Sequence, residues 1–393
     1  MISKARTVAC AALALSLIAG PSPAAEEKPA LRLVKRFPYK GGLEISSAGK
    51  FVYASQWNGH YDRVEKPSWG GVRIFDVSGR VPRQAGFLKC PGYDNDVAAL
   101  EPGLIAVGYG ENSCARTSGR PGVLFADVSN PSRPRLLGDV GVYFAHTISA
   151  YPGKRLIYAS PGGWLPADNE GRIDIIDASN PRKPKVVGNF TFDGFGCHDI
   201  SFRITKESKL AFCTTSSPVQ LILDVSKPTA CMIVGRIVNP LIQYGHTAIA
   251  SPDGRTLAIT DEAFIAHECV SGASAAGGLW LYDISDPALP ELLGYRAPSE
   301  GREPVGHLTG WTPSYCTAAM LDWMTNERLI VSWYSGGVEV LDVADPASPR
   351  PITTYRPESS LAYGVDFYKG RVYVNDIDRG LEVLEPRGMS AGR

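Results

Sequence analysis

The chain carries no excess of either charge. Across 393 residues, 40 Lys and Arg face 40 Asp and Glu, and the formal net charge is zero. A chain so balanced presents no broad field to draw nucleic acid or an anionic membrane surface. Several short chemical motifs are also missing: no CxxC, no haem-type CxxCH, no Gly-rich phosphate loop, no GxSxG elbow and no HExxH pair. Their absence disfavours thioredoxin-type redox proteins, c-type cytochromes, nucleotide enzymes and ordinary esterases. After the first 25 residues no apolar run is long enough to span a bilayer.

What the chain has in quantity is turn formers, 41 Gly and 30 Pro, a composition that favours many short strands over long helices. At 44% hydrophobic residues it is ample for a large core. The N-terminus reads as an export signal. "MISKAR" is a basic start, "TVACAALALSLIAG" an apolar stretch too short for a comfortable membrane helix, and "PSPAA" a small-residue cleavage site near Ala24 or Ala25. Residues 1–25 are expected to be removed, leaving 26–393 as one exported domain, periplasmic or extracellular. An uncleaved anchor is the alternative. In an oxidising compartment the seven cysteines that remain after cleavage are free to pair, and an odd number leaves at least one over.

One pattern recurs down the chain: "GGVRIFDVSGRVP", "GVLFADVSNPSRP", "GRIDIIDASNPRKP", "VQLILDVSKP", "GGLWLYDISDPALP" and "GGVEVLDVADPASP", with a decayed copy in "RGLEVLEP". Its acidic residues are Asp76, Asp127, Asp177, Asp224, Asp283, Asp342 and finally Glu385. β-branched and aromatic residues make a strand, and the Asp-x-Ser ends it by bonding nearby backbone N–H groups. The prolines mark the connection outward, where no ladder bond is needed. A short outer strand follows, as in "PKVVGNF", and two more strands joined by a tight turn precede each copy, as in "HTISAYPGKRLIYAS". Four strands in each of seven units predict an all-β fold, a seven-bladed β-propeller. Leu31–Pro38 looks like an outer strand without partners, and the last unit lacks one, so the N-terminal strand is expected to complete the last blade. An open solenoid or a two-domain sandwich is the competing arrangement.

"VLDVADPASP", "LYDISDPALP" and "IIDASNPRKP" resemble the LVIVD-repeat proteins, and the resemblance covers nearly the whole mature chain. It implies an exported bacterial β-propeller and says little about chemistry. Similar proteins often carry a histidine in a "CTAH" stretch; here "CTAAM" from Cys316 lacks it.

When the first strands of the units are aligned on their apolar cores, His146, His198 and His246 fall at one place in units three, four and five. Asn95, Leu43 and Tyr363 take that place in units two, one and seven, and unit six is ambiguous around Cys316. In a propeller these strands line the axis, so the three histidines should converge at one mouth of the channel. Three imidazoles there suit Zn, Cu or Fe. Glu262 and Asp261, ending the second strand of unit five at "AITDEAF", are further candidates, and Glu262 is the first residue to consider as an acid or base. Asp96 and Asp199 sit one residue past the aligned place, where they would orient the histidines by hydrogen bonds or touch a bound ligand. His307, Trp311 and Trp164 belong to connections over the same mouth, and aromatic walls around polar groups suit a small molecule or peptide.

Cys197 and Cys213 flank a hairpin and face each other across it. Cys90 and Cys114 fall on the mouth face, and Cys269 is within reach of Cys316, which leaves Cys231 free. A free or metal-bound Cys197 or Cys316 is the alternative. Two functional readings follow: a propeller that binds a small ligand or a protein partner at the mouth, or a metal-dependent enzyme, oxidase or hydrolase-like, built on the axial histidines. A cysteine nucleophile is weaker, because no Cys-His-Asn pattern supports it.

Overall fold

The computed structural model describes residues 28–57, 70–90, 96–109, 114, 121–162, 171–192, 196–262, 277–297 and 317–389. These residues form 28 strands and no helix. The strands make seven antiparallel four-stranded sheets, the blades of a β-propeller. Blades 1 to 6 take their strands consecutively from the chain. Blade 7 takes its inner three from Ala362–Tyr368, Arg371–Asp376 and Gly380–Arg387, and its outer strand, Ala30–Phe37, pairs antiparallel with Gly380–Arg387. The inner strands of blades 1 to 6 are Gly42–Ala48, Val97–Glu101, Thr147–Ala150, Ile200–Ile204, Gly245–Ala250 and Leu321–Thr325. Each touches the inner strand of the next blade, and the seventh touches the first, so the ring is closed.

The core is a ring of seven apolar clusters, one at each blade boundary. Strand periodicity creates it, because alternate residues face opposite sides of a blade. In the second strand of blade 1, Phe51 and Tyr53 pack toward Ile105 and Tyr109 of blade 2, while Val52 and Ala54 pack toward Tyr373 and Leu381 of blade 7. All these side chains are buried, and Val52, Tyr53 and Ala54 are fully so.

The repeat motif works as three connected devices. The first is the aspartate: Asp127 Oδ1 accepts the N–H of Ser129 at 3.0 Å, and Asp76, Asp177, Asp224 and Asp283 hold Ser78, Ser179, Ser226 and Ser285 in the same way. That turn directs the chain out to the proline. The second is a shift of register between third and outer strands, present in every blade. The third is a glycine at that shift, onto which the next blade's loop carbonyl is laid. A Cβ built on Gly86 would stand 1.6 Å from Pro131 O, on Gly235 1.9 Å from Pro287 O, and on Gly294 2.0 Å from Pro346 O. Blade 6 has Thr353 at the corresponding register, opposite Val340. Its neighbour, blade 7, carries the decayed motif with no Asp-x-Ser-x-Pro loop, so nothing there demands a glycine.

Two disulfides are formed, Cys90–Cys114 and Cys197–Cys213, the second tying the start of blade 4's inner strand to its second strand. Cys231 is the free thiol among the described residues. Cys269 and Cys316 lie outside the described residues, as does the expected signal segment, residues 1–25.

Two outcomes follow. Gly235→Ala should lower stability by roughly 1–3 kcal/mol in chemical denaturation, the usual cost of forcing an atom into a packed contact. Gly79→Ala, whose nearest neighbour to a new Cβ is 3.6 Å away, should stay within about 0.5 kcal/mol. The Asp-Ser turns also predict acid lability. The Ser129 hydroxyl and the Arg135 guanidinium hold Asp127 down to about 2, from an ordinary value of 3.8. A depressed carboxyl stabilises the fold above its unfolded pKa, and the contribution is lost as pH falls through the folded one. The melting temperature should therefore drop between about pH 4 and pH 2, and Asp127→Asn should flatten that drop.

Candidate functional site

The ring of inner strands carries the site. His146, His198 and His246 stand at the heads of the inner strands of blades 3, 4 and 5, where the backbone is pinned to the end of each blade's second strand. His146 N–H donates to Ser160 O at 2.9 Å and His198 N–H to Thr214 O at 2.6 Å. Two of the rings lean on the following blade. His198 Nδ1 lies 3.1 Å from the carbonyl oxygen of His246, and His246 Nδ1 lies 3.0 Å from that of Ala319. A carbonyl only accepts, so both Nδ1 atoms hold the proton and both Nε2 atoms present a lone pair. His146 Nε2 lies 3.0 Å from His198 Nε2, and so donates to it.

Around His246 Nε2 stand Glu262 Oε2 at 3.3 Å and the Tyr363 hydroxyl at 3.1 Å. Glu262 Oε1 accepts from the Tyr334 hydroxyl. One ligand atom from each of His198, His246 and Glu262 falls within 4.8 Å of the others, a grouping able to hold a metal ion. All three side chains are buried. The neighbouring Asp261 is used differently. Its oxygens accept backbone N–H groups of Gln243, Tyr244 and Gly277, which shape the turn that aims Glu262 inward.

A cavity of about 280 Å³ reaches this group. Glu44, Asp96, Asp199, His198 and His246 line it together with Ile45, Val97, Ile148 and Met320. Two of its acids also bind blades to one another. Asp96 accepts the N–H groups of Val97 and Ile148, each at 2.6 Å, joining blades 2 and 3. Asp199 accepts the Ile200 N–H at 2.7 Å, the Ser149 hydroxyl from blade 3 and the Thr247 hydroxyl from blade 5.

Burial separates the protonation states of the two residue types. It pushes Glu262 up to about 8 and Asp96 up to about 7, and raises Asp199. It lifts Glu44 well above the carboxylate range, with Asp96, Asp199 and Glu262 adding repulsion. The same burial holds His246 down to about 3 and His198 well below 6.5. At neutral pH His198 and His246 are neutral, the form that binds metals, and burial keeps Glu262 largely protonated beside His246 Nε2.

The residues expected from sequence divide three ways. His198, His246 and Glu262 come together, with His146 and Tyr363 in direct contact with them. Asp96 and Asp199 line the cavity. Asn95, Trp164, His307 and Trp311 lie outside the described residues. Sequence reasoning missed Glu44 and Tyr334. Glu44 had a signal, because it stands one past Leu43 as Asp96 stands one past Asn95 and Asp199 one past His198. The alignment also resolves in blade 6, where the carbonyl that His246 meets belongs to Ala319.

The comparisons with known proteins agree with this architecture. The family model described as the LVIVD repeat matches residues 122–142 and 167–191. These segments hold the third and outer strands of blades 2 and 3, and the Asp-Ser turns between them. No curated protein matches the chain. The chain is thus a seven-bladed β-propeller that carries LVIVD repeats in blades 2 and 3.

Proposed function

We propose that the protein is an exported ligand-binding propeller that holds one transition-metal ion, Zn, Cu or Fe, between His198, His246 and Glu262. One observation carries the reading: two neighbouring imidazoles each spend Nδ1–H on a carbonyl of the next blade, His246 turns Nε2 to Glu262, and one ligand atom from each of His198, His246 and Glu262 lies within 4.8 Å of the others. Metal-bound histidines use the same device, a carbonyl on one nitrogen that fixes the ring and its tautomer. Three protein ligands leave a coordination position open, as in catalytic zinc sites. His198 and His246 also line the cavity, so a small molecule or the end of a peptide entering it would meet the ion.

The alternative reading is a metal-dependent enzyme, an oxidase or hydrolase, with Glu262 as acid or base. An ion at this place would act as a Lewis acid on a bound oxygen or lower the pKa of bound water. Glu44, which lines the cavity, would be an additional carboxyl group. The two disulfides and the leader-like first 25 residues support export. No helix among the described residues is long and apolar enough to cross a membrane.

Untagged protein purified from the periplasm should hold close to one transition-metal ion per chain by plasma mass spectrometry. The His198→Ala/His246→Ala variant should hold none while keeping its melting curve cooperative. Metal-free protein of both kinds, correctly folded, would remove the metal from the proposal.

Binding should also depend on pH in a defined direction. The metal must displace one proton from Glu262, whereas His246, at about 3, is already deprotonated. The apparent affinity for Co²⁺ should therefore rise about tenfold per pH unit from 6 to 8 and level off above about 8. A flat profile over that range would exclude Glu262 as a ligand.

A further inference from the structure

Tyr334 adopts a φ of 47°, in the left-handed region. A bulky side chain rarely takes that conformation, and it persists only where the surroundings over-determine it. Ser335, Gly336 and Gly337 follow, so the chain supplies glycine to this turn but places a tyrosine at its left-handed position.

The surroundings that hold it are specific. Tyr334 N–H donates to Ala362 O at 3.0 Å, and Ala362 N–H donates back to Tyr334 O at 3.0 Å. Gly337 N–H donates to the same Tyr334 carbonyl at 3.0 Å. The residue is thereby fastened to the head of blade 7's inner strand, one residue from Tyr363. Its ring packs edge-on against the Tyr363 ring at 5.7 Å. From that anchor its buried hydroxyl crosses to blade 5 and donates to Glu262 Oε1. The strained backbone thus serves to deliver one phenol to one carboxyl oxygen.

We infer that Tyr334 is the positioning residue of the axial site, and through Glu262 a determinant of which ion the site accepts. The inference rests on the metal reading above. With Oε1 tied to the phenol, Glu262 offers only Oε2, the oxygen 3.3 Å from His246 Nε2. One carboxylate oxygen and two imidazole nitrogens suit a small tetrahedral ion such as Zn²⁺ or Co²⁺. Ca²⁺ draws on six to eight oxygens, often with a carboxylate bound through both, and finds a poor match. Without the hydroxyl, Glu262 is free to turn and bind through both oxygens or to leave the ion.

The test is a Co²⁺ titration of the full exported chain, followed by its visible ligand-field bands, in wild type, Tyr334→Phe, Glu262→Ala and the double variant. Tyr334→Phe keeps the ring packing and the backbone bonds. It should weaken Co²⁺ binding about 10–100-fold, the usual effect of removing a hydrogen bond to a ligand, and alter the tetrahedral band pattern. In the Glu262→Ala background the same change should have no further effect, because Tyr334 acts through Glu262. A hundredfold excess of Ca²⁺ should leave wild-type Co²⁺ in place. Wild-type affinity and bands in Tyr334→Phe would overturn the inference while leaving the metal site standing. So would an undiminished loss in the Glu262→Ala background, or displacement by Ca²⁺. A wild-type chain that takes no Co²⁺ would remove the axial metal site and this inference with it.

Discussion

At most blade boundaries two backbones meet where there is no room for a side chain. The loop carbonyl that follows one blade's Asp-x-Ser turn lies against the outer-strand glycine of the blade before it. The contact fixes the distance between neighbouring blades at their outer edge, while the inner strands fix it near the axis. Between those two constraints sits an apolar cluster of buried side chains. Repeating this arrangement round the ring sets the width of the channel. The channel width in turn decides which side chains meet on the axis.

Those axial side chains are not interchangeable polar filling. Carboxyl groups at Glu44, Asp96 and Asp199 line one small cavity with His198 and His246, and Glu262 and His146 stand against those two histidines. Burial raises every one of these acids and lowers His198 and His246. The result at neutral pH is a cluster rich in neutral donors and acceptors, with imidazole lone pairs facing protonated acid. In the metal site proposed above, a cation would take the lone pairs, displace a proton and pair with the carboxylate. Asp96 and Asp199 do a second task, joining inner strands of adjacent blades through hydrogen bonds, so the chemistry of the channel and the closure of the ring use some of the same residues.

Much of this was legible in the sequence because repetition makes a fold visible. The Asp-x-Ser-x-Pro motif recurs often enough to count blades, and aligning the strands around it placed His146, His198 and His246 at equivalent positions. Glu262 could be read as the end of a second strand pointing to the same mouth. The limits were equally physical. Tyr334 reaches Glu262 across a blade boundary from a left-handed backbone position, and neither the contact nor the φ leaves a trace in strand periodicity. Three histidines at equivalent places suggested a three-histidine set. Ligand atoms of His198 and His246 instead group within 4.8 Å with one of Glu262, and His146 stands against His198. Glu44 was passed over because attention fell on the aligned residue, Leu43, rather than on the one after it.

The central claim is that two imidazoles and one carboxylate oxygen on the propeller axis form a metal centre. X-ray absorption at the metal edge of the zinc-loaded chain measures that directly. The account predicts a first shell with imidazole nitrogens at about 2.0–2.1 Å, close to two per ion, and one or two oxygens, lost in His198→Ala/His246→Ala. A shell made only of oxygens, or one unchanged in that variant, would contradict it.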